Sequence, residues 1–227
     1  MKSPNTASYL ARYQDSFGKE GTTIINDGEA LTMMLRGVRF CGNDFDRFEP
    51  KDYVDPSKLS SFKFRHGKLC YCIIEADIPI LVVTPSQILD CLLTIFLELG
   101  DPLPTGQMNQ ERLKLCLKVN QETYSSEGNT GWFEGEMLNL QSKLAPGTFM
   151  KSCINCAFSD YSPYGHGLFG NMICFRENKV GYLALPLGED FDKDDYFDVM
   201  DTVSEMVQET HLCQEFERRV PGTGYRG

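Results

Sequence analysis

No run of the sequence is apolar for long enough to cross a bilayer. The longest such stretch, ILDCLLTIFLELG at 88 to 100, is interrupted by Asp90 and Glu98, whereas a spanning helix needs ~20 apolar residues. The opening MKSPNTASYLARYQDSFG lacks the apolar centre of a secretory leader. Basic charge is also scarce. There are 22 lysines and arginines against 32 acidic residues, a formal net charge of −10. Such a chain repels a phosphate backbone unless its cations cluster, and the densest group is only Arg218, Arg219 and Arg226. Nucleic acid and membrane are therefore not expected partners, and a basic protein such as a toxin suits the charge better. Histidine is limited to His66, His166 and His211. H-E-x-x-H, G-x-S-x-G and a Walker loop are all missing, which removes the commonest hydrolase and NTPase signatures. Internal repeats, low-complexity linkers and a clean domain boundary are missing too.

What the chain does have is enough length for a self-sufficient core, with 227 residues. It reads as a single domain, 1–227, that could subdivide into a β-rich part at 1–105 and an α+β part at 106–227. Nine cysteines, an odd number, with no leader before them, read as reduced thiols or metal ligands rather than a disulfide framework, and place the protein in a cytoplasm.

Apolar and polar residues alternate with the period of half-buried strands. TTIIND and EALTMMLRG flank Asp27-Gly28, a preferred hairpin pair, and a second hairpin is expected around His66-Gly67. Leu93, Ile95, Leu97 and Leu99 share one strand face, as do Leu113, Leu115, Leu117 and Val119, although Ser86 could instead cap a helix over 86 to 99. In the second half, Phe133, Met137, Leu140 and Leu144 recur at helical spacing after a possible Thr130 cap. A second helix is expected within DKDDYFDVMDTVSEMVQE, with Phe197, Met200, Val203 and Val207 as its buried stripe. TFMKSCINCAFSDY and NMICFRENKVGYLALP look like strands. The class is thus α+β, mainly β: an antiparallel β-sandwich or open antiparallel sheets, with about two helices in the C-terminal half.

GHGLFG at 165 to 170 matches the spacing G-x-G-x-x-G of phosphate-binding loops. A dinucleotide site needs a helix immediately after the glycines, so that its N-terminal N–H groups face the pyrophosphate. Strand-like sequence follows instead, and the lysine strand, H-R-D loop and D-F-G of a kinase are missing. Gly165, Gly167 and Gly170 therefore read as a tight turn.

Cys153 and Cys156 form a C-x-x-C pair, with Cys174 and Cys213 downstream. Four thiolates so spaced could hold a structural Zn²⁺, the one cofactor the sequence suggests. They could equally be inert core thiols, as the strand positions of Cys70, Cys72, Cys91 and Cys116 suggest for those residues, or a redox pair. An enzymatic reading would pair Cys153 or Cys156 with His166 or His211, with Asp160 orienting the imidazole, in a pocket around Asp160, Tyr161, Tyr164, His166 and Arg176. Against it stands a non-catalytic binding module. The tail, with Leu212, Cys213, Phe216, Val220 and Tyr225 between turn-forming Pro221, Gly222 and Gly224, has the composition of a segment that docks.

GWFEGEMLNLQSKL, SDYSPYGHGLFGNMICFR and QETHLCQEFERRVPGTGYRG resemble the recurrent blocks of an uncharacterised bacterial protein family of about this length. The resemblance brings no established activity. It implies a shared structural role for Cys156, Cys174, Cys213 and the tail glycines, and, by analogy, a small bacterial protein of the immunity or accessory kind, acting through protein–protein contact.

Overall fold

The computed structural model describes residues 6–105, 108–162, 167–185 and 193–222. It is mostly β, and the chain divides into two compact units. The first comprises Met1–Pro79 with Asp90–Pro146, and the second Ile80–Leu89 with Gly147–Gly227. Among the described residues no helix is long and apolar enough to cross a membrane.

The first unit is built from β1 (Ala7–Asp15), β2 (Gly18–Asn26), β3 (Leu31–Leu35), β4 (Val38–Gly42), β5 (Glu49–Pro50), a short helix α1 (Pro56–Leu59), and the small hairpin β6 (Phe64–Arg65) and β7 (Lys68–Leu69). The long strands β8 (Cys72–Val83), β9 (Ile88–Pro102) and β10 (Met108–Val119) follow, then β11 (Glu122–Ser125) and helix α2 (Phe133–Lys143). The strands form an open antiparallel sheet in the order β11-β10-β9-β8-β1-β2-β3-β4-β5. Of the two architectures the sequence allows, the sheet is therefore the open one.

Alternation does what it promises: Tyr9, Ala11 and Tyr13 of β1 point inward while Leu10 is 71% exposed. The β2–β3 turn is the expected one. Gly28 takes φ +94, and the Asp27 carboxylate accepts from the N–H groups of Glu29 and Ala30. The hairpin at His66 and Gly67 has φ of 49 and 80, both left-handed, as a two-residue turn between twisted strands requires. β9 is a strand and not a helix. Leu93, Ile95 and Leu97 lie opposite Leu117, Leu115 and Leu113 of β10, and all six are buried. Two such leucine-rich strands in register bury a continuous apolar face, which outweighs a single capping serine.

The turn between β3 and β4 places Arg36 at φ 49, unfavourable for a side chain of this size. Interactions offset the strain. Its guanidinium donates to both Asp15 carboxylate oxygens, at 2.9 and 2.8 Å, its backbone N–H reaches Glu20, and it lies over the Tyr13, Phe17 and Phe62 rings. Burial alone would raise the Asp15 pKa, but hydrogen bonds from Arg36, the Phe17 N–H and Tyr13 more than offset this and hold it below the usual carboxylate range. A carboxyl depressed on folding stabilises the fold above its unfolded pKa, and that contribution is lost as pH falls through the folded value. The urea midpoint should therefore fall more steeply from ~pH 4 downward in the wild type than in Asp15→Asn. Parallel curves would show that this ion pair contributes nothing.

Helix α2 buries Phe133, Met137 and Leu140, the stripe expected of it, and packs on β10 and β11. Its N-cap is Trp132 rather than Thr130, and no side chain caps it. The Thr130 hydroxyl is turned instead to the Glu136 carboxylate, at 2.6 Å.

In the second unit, β12 (Phe149–Lys151) pairs with Leu81–Val83 at the end of β8. A separate three-stranded sheet follows, ordered β13 (Ser159–Tyr161), β14 (Met172–Cys174), β15 (Glu205–Val207). Helices α3 (Lys179–Leu183) and α4 (Lys193–Met200) lie between the last two strands in sequence. Cys156, Ala157, Phe158, Ile173, Phe175, Tyr182, Leu185 and Val199 make one buried cluster, joined by Met200, Val203 and Phe216.

Three expectations need adjustment here. Helix α4 ends at Met200, because Thr202 turns its hydroxyl back to the Val199 carbonyl and the chain leaves for β15. The proposed stripe is therefore split: Phe197 is exposed and Val207 belongs to a strand. NMICFRENKVGYLALP is strand only at Met172–Cys174, after which Asn178 caps α3 by accepting from the Gly181 N–H. Cys153 and Cys156 lie not on a strand but in and just after a 3-10 turn, Cys153–Asn155. In the tail, Phe216 docks as expected, stacking on Phe149 at 6.1 Å, whereas Leu212 and Val220 are exposed and Tyr225 lies outside the described residues.

Candidate functional site

The residues singled out by sequence all fall in the second unit. Of the GHGLFG loop, Gly165 and His166 lie outside the described residues, as does Tyr164. Gly167 donates its N–H to Asn171, and Gly170 takes φ 87. The chain then enters β14, so no helix end follows these glycines to receive a phosphate.

Both β13 and β14 are buried on both faces. Burial without water demands that every polar group find a partner inside the fold, and Asp160 does. Tyr182 donates its hydroxyl to the Asp160 carboxylate at 2.6 Å, the Tyr161 N–H donates at 2.9 Å, and the Arg219 guanidinium stands 3.9 Å away. Arg219 also donates to the Ser159 carbonyl and, at 2.9 Å, to the Tyr182 oxygen. The Tyr182 ring lies flat on Phe175, with centroids 4.7 Å apart. Burial, and next the charge of Asp160, drive the Tyr182 pKa far up, so this phenol is a hydrogen-bond donor and not an acid–base group at neutral pH.

Tyr161 belongs to a second buried pair. Its hydroxyl donates to Glu209 at 2.9 Å, and the same carboxylate accepts the Gly170 N–H at 2.7 Å. Tyr161 is thus an internal strut, not a residue presented to a ligand. Arg176 faces Glu205 in an ion pair. Sequence reasoning found Asp160, Tyr161 and Arg176 but missed Tyr182, Glu209 and Arg219. Their partners lie 22, 48 and 60 residues away along the chain, and no local pattern carries that information.

Seven of the nine cysteines fall into two groups. Cys72 is buried in β8, and burial pushes its thiol up to about 12, while burial also raises Cys70 and Cys91. These thiols are protonated and inert at neutral pH. Cys153, Cys156, Cys174 and Cys213 are instead brought to one place. The Cys156 N–H donates to the Cys153 carbonyl at 3.0 Å, closing the turn between them. Cys174 lies opposite Ser159 in the β13–β14 ladder, and the Ser159 hydroxyl donates to the Cys153 carbonyl. The segment carrying Cys213 is tied to the same turn on either side: Ile154 donates to the Glu209 carbonyl at 3.1 Å and Ala157 to the Glu217 carbonyl at 2.8 Å. All nine cysteines are free thiols. As the side chains stand, no three or more His, Cys, Asp or Glu among the described residues are arranged to hold a metal ion.

The first unit has a shallow depression of about 370 Å³, lined among others by Asp15, Tyr71, Cys72 and Glu98. Asp15 is engaged by Arg36, and the Tyr71 hydroxyl is hydrogen-bonded to Asp101. The lining therefore assembles no nucleophile–base pair.

No curated protein and no solved structure matches the chain. One family model does, over residues 7–159, which is more than half of the sequence. That span includes GWFEGEMLNLQSKL, while the other two sequence blocks lie at or beyond its end. The chain belongs to DUF6304, a family of unknown function.

Proposed function

We propose that the protein is a non-catalytic binding module that engages a basic protein partner, in the manner of an immunity protein neutralising a toxin. The observation that carries this reading is the internal commitment of two buried carboxylates of the second unit, Asp160 and Glu209. Asp160 is 2% exposed and held by Tyr182, the Tyr161 N–H and Arg219, and Glu209 is fully buried against Tyr161 and Gly170. Groups so engaged cannot exchange protons with a substrate without dismantling the core.

Charge gives the partner its chemistry. Between Glu189 and Asp201 there are seven acidic residues against Lys193 alone, so this segment carries more than half of the chain's net charge of −10. Asp198 and Asp201 are exposed. Negative charge so concentrated along the chain accelerates encounter with a basic partner and makes the association sensitive to salt.

The test is rescue of the phenotype of a strain lacking the gene. Rescue by wild type and by His166→Ala, but not by Asp198→Lys/Asp201→Lys, is the expected pattern. It should be accompanied by a basic protein that co-purifies at low salt with the first two and not with the charge-reversed variant. Loss of rescue with His166→Ala, while the co-purifying protein is retained, would replace this reading with an enzymatic one.

A further inference from the structure

We infer that the segment 211–222 covers a peptide-binding groove of the second unit, and that an extended segment of the partner, carrying an aromatic residue and an arginine, takes its place. The identity of the displacing segment rests on the partner reading above, whereas the groove and its cover do not.

The chain changes character at Thr210. Val207, Glu209 and Thr210 are buried. Glu209 is fixed twice over, since its carboxylate accepts from Tyr161 and Gly170 and its carbonyl accepts the Ile154 N–H at 3.1 Å. From His211 to Gly222, by contrast, no residue is buried. The residues this segment lies against are: Cys156, Ala157, Asp160 and Tyr182 are each at most 7% exposed. A segment that covers a core while keeping its own side chains partly in water adds little apolar burial to the fold. Such segments open locally at a free energy well below that of global unfolding.

The segment is held as a peptide ligand would be. Arg218 lies opposite Cys156 in an antiparallel bridge. The Ala157 N–H donates to the Glu217 carbonyl at 2.8 Å, and the Arg219 N–H to the Asn155 carbonyl at 2.9 Å. This is strand addition, in which main-chain bonds accept any extended chain and side-chain pockets choose among them. Phe216 fills the first pocket, stacking on Phe149 at 6.1 Å, and the Arg218 guanidinium lies over the same Phe149 ring at 4.6 Å. Arg219 fills the second, where it donates to the Ser159 carbonyl and the Tyr182 oxygen and stands 3.9 Å from Asp160. A guanidinium suits this pocket because its planar fork serves several acceptors at once, which an ammonium does not. The remaining ties, from Lys179 to Glu215 and Glu217, are surface ion pairs that contribute little and that salt screens.

Charge identifies what displaces the cover. Arg218 and Arg219 belong to the densest basic group of a chain whose net charge is −10, so an acidic protein seats its own most basic stretch in this groove. A basic partner presents the same chemistry in trans. The tethered copy, at an effective concentration of about a millimolar, excludes weak or wrongly spaced peptides and yields to one that pairs better.

Two measurements on the full chain test this. In native-state hydrogen exchange of the wild type, the Ala157 and Arg219 amides, which bridge groove and cover, should exchange ~100-fold or more faster than those of Ile154 and Phe175, which donate to Glu209 and Phe158. One common rate for all four would make the tail part of the core and overturn the inference, leaving the partner reading untouched. This arm needs no variant, so it decides even where a substitution prevents folding. The second arm uses a fluorescent peptide of residues 214–222. It should bind Phe216→Ala/Arg219→Gln protein at least about tenfold more tightly than wild type, whose own tail competes, and the same peptide with Arg219→Gln should bind neither. Equal binding to both proteins, or binding indifferent to the peptide's arginine, would exclude the groove. If both arms give the expected result while no basic protein co-purifies with the wild type, the groove stands and the partner reading alone falls.

Discussion

Asp160→Ala is expected to cost about 3–5 kcal/mol of folding stability, the range found when one partner of a buried charged pair is removed. The carboxylate is what the Tyr182 hydroxyl and the Tyr161 N–H donate to, and it stands opposite a guanidinium that is itself largely enclosed. Without it, Arg219 keeps its charge in a place with little water, and Tyr182 loses its acceptor while its ring stays on Phe175. Asp160→Asn keeps the volume and an acceptor oxygen but not the charge, and should lose less. Loss of protection should appear first in hydrogen exchange at β13 and β14, measured alongside urea unfolding. The cycle of Asp160→Asn with Arg219→Met should show strong coupling, because each partner is costly mainly when left alone. A loss below about 1 kcal/mol for Asp160→Ala would mean that water reaches the carboxylate, and would return Asp160 to the list of groups available for chemistry.

The network shows where sequence reading stops. Alternation and turn residues are local, so they place β2 and β3, the Asp27-Gly28 and His66-Gly67 hairpins and the leucine faces of β9 and β10 without help from tertiary structure. Helix α2 was legible for the same reason, since Phe133, Met137 and Leu140 repeat within three turns. Its cap was not, because the Thr130 hydroxyl answers to Glu136, a partner chosen by the fold. In the second unit the elements are short, and a three-residue strand such as β13 or β14 carries no periodicity to read. Spacing pairs Cys153 with Cys156, and backbone hydrogen bonds from Ile154 and Ala157 tie the segment carrying Cys213 to their turn. Tyr182, Glu209 and Arg219 had no comparable mark. A tyrosine, a glutamate and an arginine in an acidic chain look like surface residues until burial shows that they must be paired.

Glu136→Ala should be the most damaging single change in the first unit outside its apolar core, at about 2–4 kcal/mol, because one carboxylate serves several donors at once. Glu136 has no exposed surface, for it lies on the buried stripe of α2 with Phe133, Met137 and Leu140. Its oxygens accept the N–H groups of Gly128, Asn129 and Thr130 at 2.7, 3.1 and 2.9 Å, and the hydroxyl of Thr130. It thereby ties the loop after β11 to the start of the helix. Burial by itself would raise the pKa of this group, but the hydrogen bonds from Ser126, Thr130 and the loop amides outweigh it and leave the pKa below the usual glutamate value. The sign follows as for any depressed carboxyl: the stabilisation is present above the unfolded pKa of ~4.3 and is lost as pH falls through the folded value. The difference between wild type and Glu136→Ala should accordingly be full at neutral pH and narrow in acid. Trp132, the sole tryptophan and the N-cap of α2, supplies the readout, since its fluorescence reports the very turn that Glu136 secures. A difference that stays constant down to ~pH 2 would assign the loss to packing of the glutamate stem and not to its charge.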